Sequence, residues 1–214
     1  AFDRKNPAQS RPSATVPVKD ARGVALVLDP LQGHAQWAFV GSSSGGVTVV
    51  DLSQPVFPHI AGRLEATAPW QLVVAGKRLY ICDGKDGVRI VDIANPAKAK
   101  EIGRLATTDA RDLSLNGPIA VIADGEGGLL AADVGDAAAP KALGRASMGR
   151  GGATSTAGVT TRVITYFQYS RPIPGKEDRT KARLLAFVAD DVYGLRIFDA
   201  TEPSAMKLVR GFED

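Results

Sequence analysis

The sequence has few of the residues from which reactive sites are assembled. Among 214 residues there is one cysteine, Cys82, and there are two histidines, His34 and His59. A lone cysteine excludes an internal disulfide, a cysteine-rich zinc site and the C-x-x-C-H attachment of a c-type haem. The two histidines have no Cys/Asp cluster at ligand spacing beside them and read as surface loop residues. No stretch reaches the ~18 uncharged apolar residues that a membrane-spanning helix needs, because charges, glycine or proline break every apolar run. Missing as well is the i, i+3, i+4, i+7 apolar spacing of an amphipathic helix. The chain starts at Ala1 with neither Met nor a signal peptide, so it is expected to be a processed or excised piece. What remains is a composition of 44% hydrophobic and 23% charged residues, which fits a globular fold rather than a fibre or a disordered tail.

The dominant positive feature is a repeat. Gly46-Val47-Thr48-Val49-Val50-Asp51 recurs 41 residues later as Gly87-Val88-Arg89-Ile90-Val91-Asp92, and after the same step as Gly128-Leu129-Leu130-Ala131-Ala132-Asp133. A fourth copy, Gly194-Leu195-Arg196-Ile197-Phe198-Asp199, follows 66 residues beyond the third. A second landmark, Gly62-Arg63-Leu64, Gly103-Arg104-Leu105 and Gly144-Arg145-Ala146, keeps the same period. The clearest copy reads as four strands: Trp70 to Val74, Arg78 to Cys82, Val88 to Asp92 and Lys100 to Leu105. The turns between them carry glycine at positions that need a positive φ. Four strands in ~40 residues, repeated in tandem, predict an all-β fold, a β-propeller of four-stranded antiparallel blades.

The expected blades are 23–64, 65–105, 106–148 and 149–214, preceded by a half blade and connector in 1–22. Phe2-Asp3-Arg4-Lys5-Asn6-Pro7 carries the same Asp-x-x-x-Pro spacing as Asp51/Pro55, Asp92/Pro96 and Asp199/Pro203. About four and a half blades of a larger ring are therefore expected. Asp3, Asp51, Asp92, Asp133 and Asp199, with Gly46, Gly87, Gly128 and Gly194, are read as structural. A carboxylate beside a turn can accept backbone N–H bonds and fix the strand exit, and this is preferred to a ring of catalytic acids because repeat-periodic residues generally serve the repeat. The third copy, with Ala131-Ala132 in place of a bulky pair and its proline displaced to Pro140, is expected to be looser. Ala75, Ala123 and Ala189 are expected at a crowded centre.

The strand copies at 87–96 and 194–203 resemble LVIVD repeats, a family of bacterial and archaeal proteins that are mainly secreted or surface-exposed. The resemblance implies a propeller and an extracellular, cell-surface or periplasmic location. It implies no general catalytic motif. It also implies company with other extracellular modules, in some cases multihaem redox proteins.

Where the repeat is interrupted, function is expected, since insertions fall in loops. Residues 141–183 hold nine Lys/Arg against Glu177 and Asp178, while 23–140 hold nine against thirteen acids. Within the insertion 149–183, Arg171, Lys176, Arg179, Lys181 and Arg183 offer charge and Tyr166 and Tyr169 offer aromatic anchors for an acidic partner. Nucleic acid is disfavoured because no binding motif accompanies the charge. The turns Asp83-Gly84-Lys85-Asp86-Gly87 and Asp124-Gly125-Glu126-Gly127-Gly128 lack the ligand series of a calcium loop and read as hairpins. Ser42-Ser43-Ser44-Gly45-Gly46 lacks the lysine and following helix of a phosphate loop, and Cys82 reads as a packed apolar residue. The leading expectation is a non-catalytic scaffold or protein-interaction domain, without cofactor or metal, whose partner is another protein or the remainder of its own polypeptide. The alternatives are an accessory domain of a redox assembly, and a propeller enzyme whose metal or substrate site is completed by residues outside this segment.

Overall fold

The computed structural model describes residues 14–29, 31, 33–148, 160–168, 183–191 and 194–212. Sixteen strands occur among them, in four sheets of four adjacent antiparallel strands. The first sheet comprises β1 (Ala21–Leu28), β2 (Ala35–Ser42), β3 (Val47–Asp51) and β4 (His59–Leu64). The second comprises β5 (Gln71–Ala75), β6 (Arg78–Cys82), β7 (Val88–Asp92) and β8 (Lys100–Leu105). The third has β9 (Asp112–Asn116), β10 (Ile119–Ala123), β11 (Leu129–Asp133) and β12 (Lys141–Ala146). The fourth has β13 (Thr160–Gln168), β14 (Arg183–Asp190), β15 (Gly194–Asp199) and β16 (Lys207–Phe212). Each sheet is a propeller blade in its strand order, and β6, β7 and β8 occupy the residues that the alternation of the sequence predicts. The half blade anticipated around Asp3 lies outside the described residues.

The β6–β7 and β10–β11 turns show why glycine recurs. Gly46, Gly87, Gly128 and Gly194 all take positive φ, from 67° to 87°. A Cβ on Gly87 or Gly128 would also overlap the carbonyl of Leu105 or Ala146 on the fourth strand of the same blade.

The second landmark glycine has a different cause. A Cβ at Gly103 would overlap the Ala137 carbonyl, and one at Gly144 would lie 2.5 Å from the Pro203 carbonyl; at Gly62 the nearest carbonyl, that of Ala97, is 4.0 Å away. Ala137, Pro203 and Ala97 belong to the segments that follow the third-strand aspartates of the next blade. Each Gly-Arg-Leu/Ala strand is thus the seat for its successor's turn, which explains why both landmarks share one period.

Two of these turns, Pro96–Lys98 and Pro203–Ala205, are single 3₁₀ turns with proline at their start, where the missing N–H leaves no hydrogen bond unmade. In the third blade, where proline is displaced, the Asp136 carboxylate accepts from Ala138 N at 3.0 Å instead. The looseness expected of this blade is not found: Leu129, Leu130, Ala131 and Ala132 are all fully buried. Of the three alanines expected at a crowded centre, Ala123 is buried, whereas Ala75 and Ala189 are exposed.

The chain divides into two compact units, 1–83 with 89–102 and 84–88 with 103–214. In the first, Ala25, Phe39, Val47 and Val49 of the first blade form a core with Leu72, Leu79, Ile81, Val91 and Ile93 of the second. In the second, Val121, Leu129 and Met148 join Val163, Val188 and Phe198. Each such large side chain contributes roughly 1.5–3 kcal/mol by its removal from water, so within each unit the packing of one blade on the next is a major source of stability.

Candidate functional site

The third-strand aspartates sit at the strand exits and bond to their own backbone. Asp51, Asp92, Asp133 and Asp199 each accept, through Oδ1, the amide two residues on: Ser53 N at 2.8 Å, Ala94 N at 2.9 Å, Gly135 N at 2.8 Å and Thr201 N at 3.0 Å. These are Asx turns, which reverse the chain by mimicking a backbone bond. The backbone and hydroxyl hydrogen bonds from Ser53 hold the Asp51 carboxyl below its usual value. His59 opens β4 rather than a loop, with Nε2 4.0 Å from Asp51 Oδ2 and its side chain 67% exposed.

A second set of acids lies at the opposite end of the blades, and the sequence reading passed over its role. Asp83 and Asp124 end the second strands of their blades and are completely buried. Asp83 Oδ1 accepts Thr67 N at 2.8 Å and Ala68 N at 2.7 Å, both in the connector arriving from the preceding blade, and Oδ2 accepts Arg89 Nε at 2.5 Å. Arg89 continues to Glu101 Oε2 at 3.0 Å. Burial works to lower the Arg89 guanidinium, and the bonds to Asp83 and Glu101 outweigh it, holding the group above its usual value. Asp124 repeats the clamp: Oδ1 accepts Thr108 N at 2.9 Å and Asp109 N at 2.8 Å, while Oδ2 accepts Arg145 Nη1.

The counter-ion changes strand between copies. In the second blade it comes from β7, and in the third, where Leu130 replaces that arginine, it comes from β12. In the first blade Ser42 holds the position and donates to the Lys19 carbonyl at 2.7 Å. The signal was available, since Asp-Gly recurs in step with Thr67 and Thr108 one repeat apart. The hairpin reading of these turns holds for their backbones and misses the carboxylates.

Between the third and fourth blades, β9 side chains satisfy β13. Asp112 Oδ2 accepts Val163 N at 3.1 Å, and Ser114 Oγ accepts Thr165 N at 3.0 Å. Burial pushes the Asp112 carboxyl above its usual value, against the amides of Val163 and Leu113 and the charge of Arg162.

Of the residues proposed for partner binding, Tyr169, Arg171, Lys176, Arg179 and Lys181 lie outside the described residues, and of Tyr166 only the backbone, in β13, is described. Arg183 begins β14, with Nη1 3.8 Å from Asp199 Oδ2 and its side chain 58% exposed. Cys82 is a free, buried thiol. A shallow cavity of about 440 Å³ opens at Gly46, Thr48, Arg63 and Glu65. Among the described residues no three His, Cys, Asp or Glu side chains stand close enough to hold a metal ion, and no helix is long and apolar enough to cross a membrane.

Comparison with known proteins agrees with this construction. The crystal structure of the computationally designed Ika4 protein, a propeller, superimposes with a TM-score of 0.54 at 11% identity, covering 84% of this chain and 90% of that one. Among curated proteins none matches in sequence. The family profile described as LVIVD repeat matches residues 35–65, 68–107, 108–146 and 185–214. One matched copy falls in each of the four blades, and the chain belongs to the LVIVD repeat family.

Proposed function

We propose that this β-propeller is a non-catalytic scaffold, a protein-interaction domain of an exported protein located outside the cytoplasm, with 171–183 as its docking element. The observation that supports this reading is the use made of the periodic acids. Asp51, Asp92, Asp133 and Asp199 bond backbone amides of their turns, and the buried pair, Asp83 and Asp124, bonds connector amides and is further neutralised by arginine. Carboxylates held this way shape the blade instead of poising a proton or a nucleophile. Recognition then falls to the interruption of the repeat, whose surplus of cations suits an acidic protein surface and whose attraction is screened by salt.

Deleting 171–183 and measuring retention of the native partner tests the docking role. Salt-sensitive retention by the intact chain and its loss on deletion are expected, and unchanged retention would refute the role. Stoichiometric metal in the purified protein would overturn the non-catalytic reading.

A further inference from the structure

The outer faces of the first and fourth blades carry the two halves of the contact that joins the first blade to the second. The pairing of β1 with β2 sets Val24 opposite Val40 and Leu26 opposite Ala38. In the second blade, Leu72 stands opposite Ile81 and Val74 opposite Leu79, at the same repeat positions. Leu72 is 3% exposed, packed against Phe39, Val47 and Val49 of the preceding blade. Its counterpart Val24 is 62% exposed, and Leu26 and Ile60 on the same face are 46% and 41% exposed. Ala38 and Val50 between them are buried, so the uncovered part is the innermost and outermost strands of that face.

The fourth blade shows the converse. Leu195 follows Gly194 as Val47 follows Gly46, which makes Phe187, Leu195 and Ile197 the counterparts of Phe39, Val47 and Val49. Ile164 stands opposite Phe187 as Ala25 stands opposite Phe39. Ala25 and Val47 are buried, whereas Ile164 and Leu195 are 68% and 44% exposed.

We infer that the fourth-blade face of one copy of this chain docks on the first-blade face of a second copy, reproducing between molecules the contact that Phe39, Val47 and Val49 make with Leu72 within one. The two surfaces are different from each other, so the contact is head-to-tail and closes into a ring or runs on as a chain of copies. None of the residues it is argued from belongs to 171–183, so the two readings are tested by different variants.

Sedimentation velocity over a concentration series, with the 214-residue chain and the variants Leu26→Asp and Leu195→Asp, tests it. Both substitutions fall at exposed positions, so each blade keeps its internal packing. The expected results are a mass that rises with concentration for the unsubstituted chain and monomers for either variant alone. An equimolar mixture should associate again through the one intact pair of faces, which also shows that both variants are folded. An unsubstituted chain that stays monomeric throughout would overturn the inference. Continued self-association of either variant, or a mixture that stays monomeric while the unsubstituted chain associates, would overturn it as well.

Discussion

Asp83 and Asp92 lie nine positions apart and do different physical work. Asp92 closes a solvent-facing Asx turn, where one hydrogen bond is worth about 0.5–1.5 kcal/mol. Asp83 is buried against two amides and a guanidinium, and removing one partner of a buried pair costs about 3–5 kcal/mol because the other charge is stranded. Urea unfolding is expected to show a loss of about 3–5 kcal/mol for Asp83→Ala and of about 0.5–1.5 kcal/mol for Asp92→Ala.

Asp112 makes a pH prediction. Burial raises its carboxyl in the folded chain, so between the unfolded and folded values the folded state binds the extra proton. Stability from this group is then gained as pH falls through that window and lost as pH rises. Asp112→Asn keeps an acceptor for Val163 N and removes the titration. Its stability relative to the parent, read from urea midpoints, should therefore be highest at neutral pH and decline toward the acid range. The third-strand aspartates were legible from sequence because their role is local, two residues away. Asp83 and Asp124 were not, because their partners, Thr67 and Thr108, lie 16 residues back in the connector.

Among elements, the blade edge that seats its neighbour's turn is the most constrained. Gly103 lies in β8 with ordinary strand geometry, yet an added Cβ would meet the Ala137 backbone, which cannot rotate away as a side chain can. Gly76 has φ +58° with nothing within 4 Å of its would-be Cβ. Gly76→Ala should cost only the left-handed backbone term, ~1–2 kcal/mol. Gly103→Ala should cost about 3 kcal/mol or more, since overpacking against fixed backbone forces the chain apart; thermal unfolding of the two variants side by side separates the causes. Strand identity was readable from alternation and turn glycines, and β6, β7 and β8 match the predicted spans. In the fourth copy the first strand, Thr160–Gln168, does not follow β9 by the 41-residue step, so the period alone does not place it. The coupling of the two landmarks was visible as a shared period, but its cause, a contact between blades, has no expression in either blade alone.

Across the whole molecule, a repeat array gains its stability from contacts between nearest neighbours, and the connectors between blades decide whether those contacts form in register. In the second and third blades the connector is held by one buried carboxylate, with arginine supplied from whichever strand carries it. The third copy departs from the repeat at Leu130 and keeps the clamp through Arg145: the carboxylate stays at its repeat position and the arginine comes from another strand. Amide hydrogen exchange at Thr67, Ala68, Thr108 and Asp109 measures this directly. All four lie in connectors outside the strands, yet they should exchange slowly, and Asp83→Ala should release Thr67 and Ala68 while Thr108 and Asp109 stay protected. Exchange of these four amides in the parent chain as fast as that of the open turn at Gly76 would contradict the account.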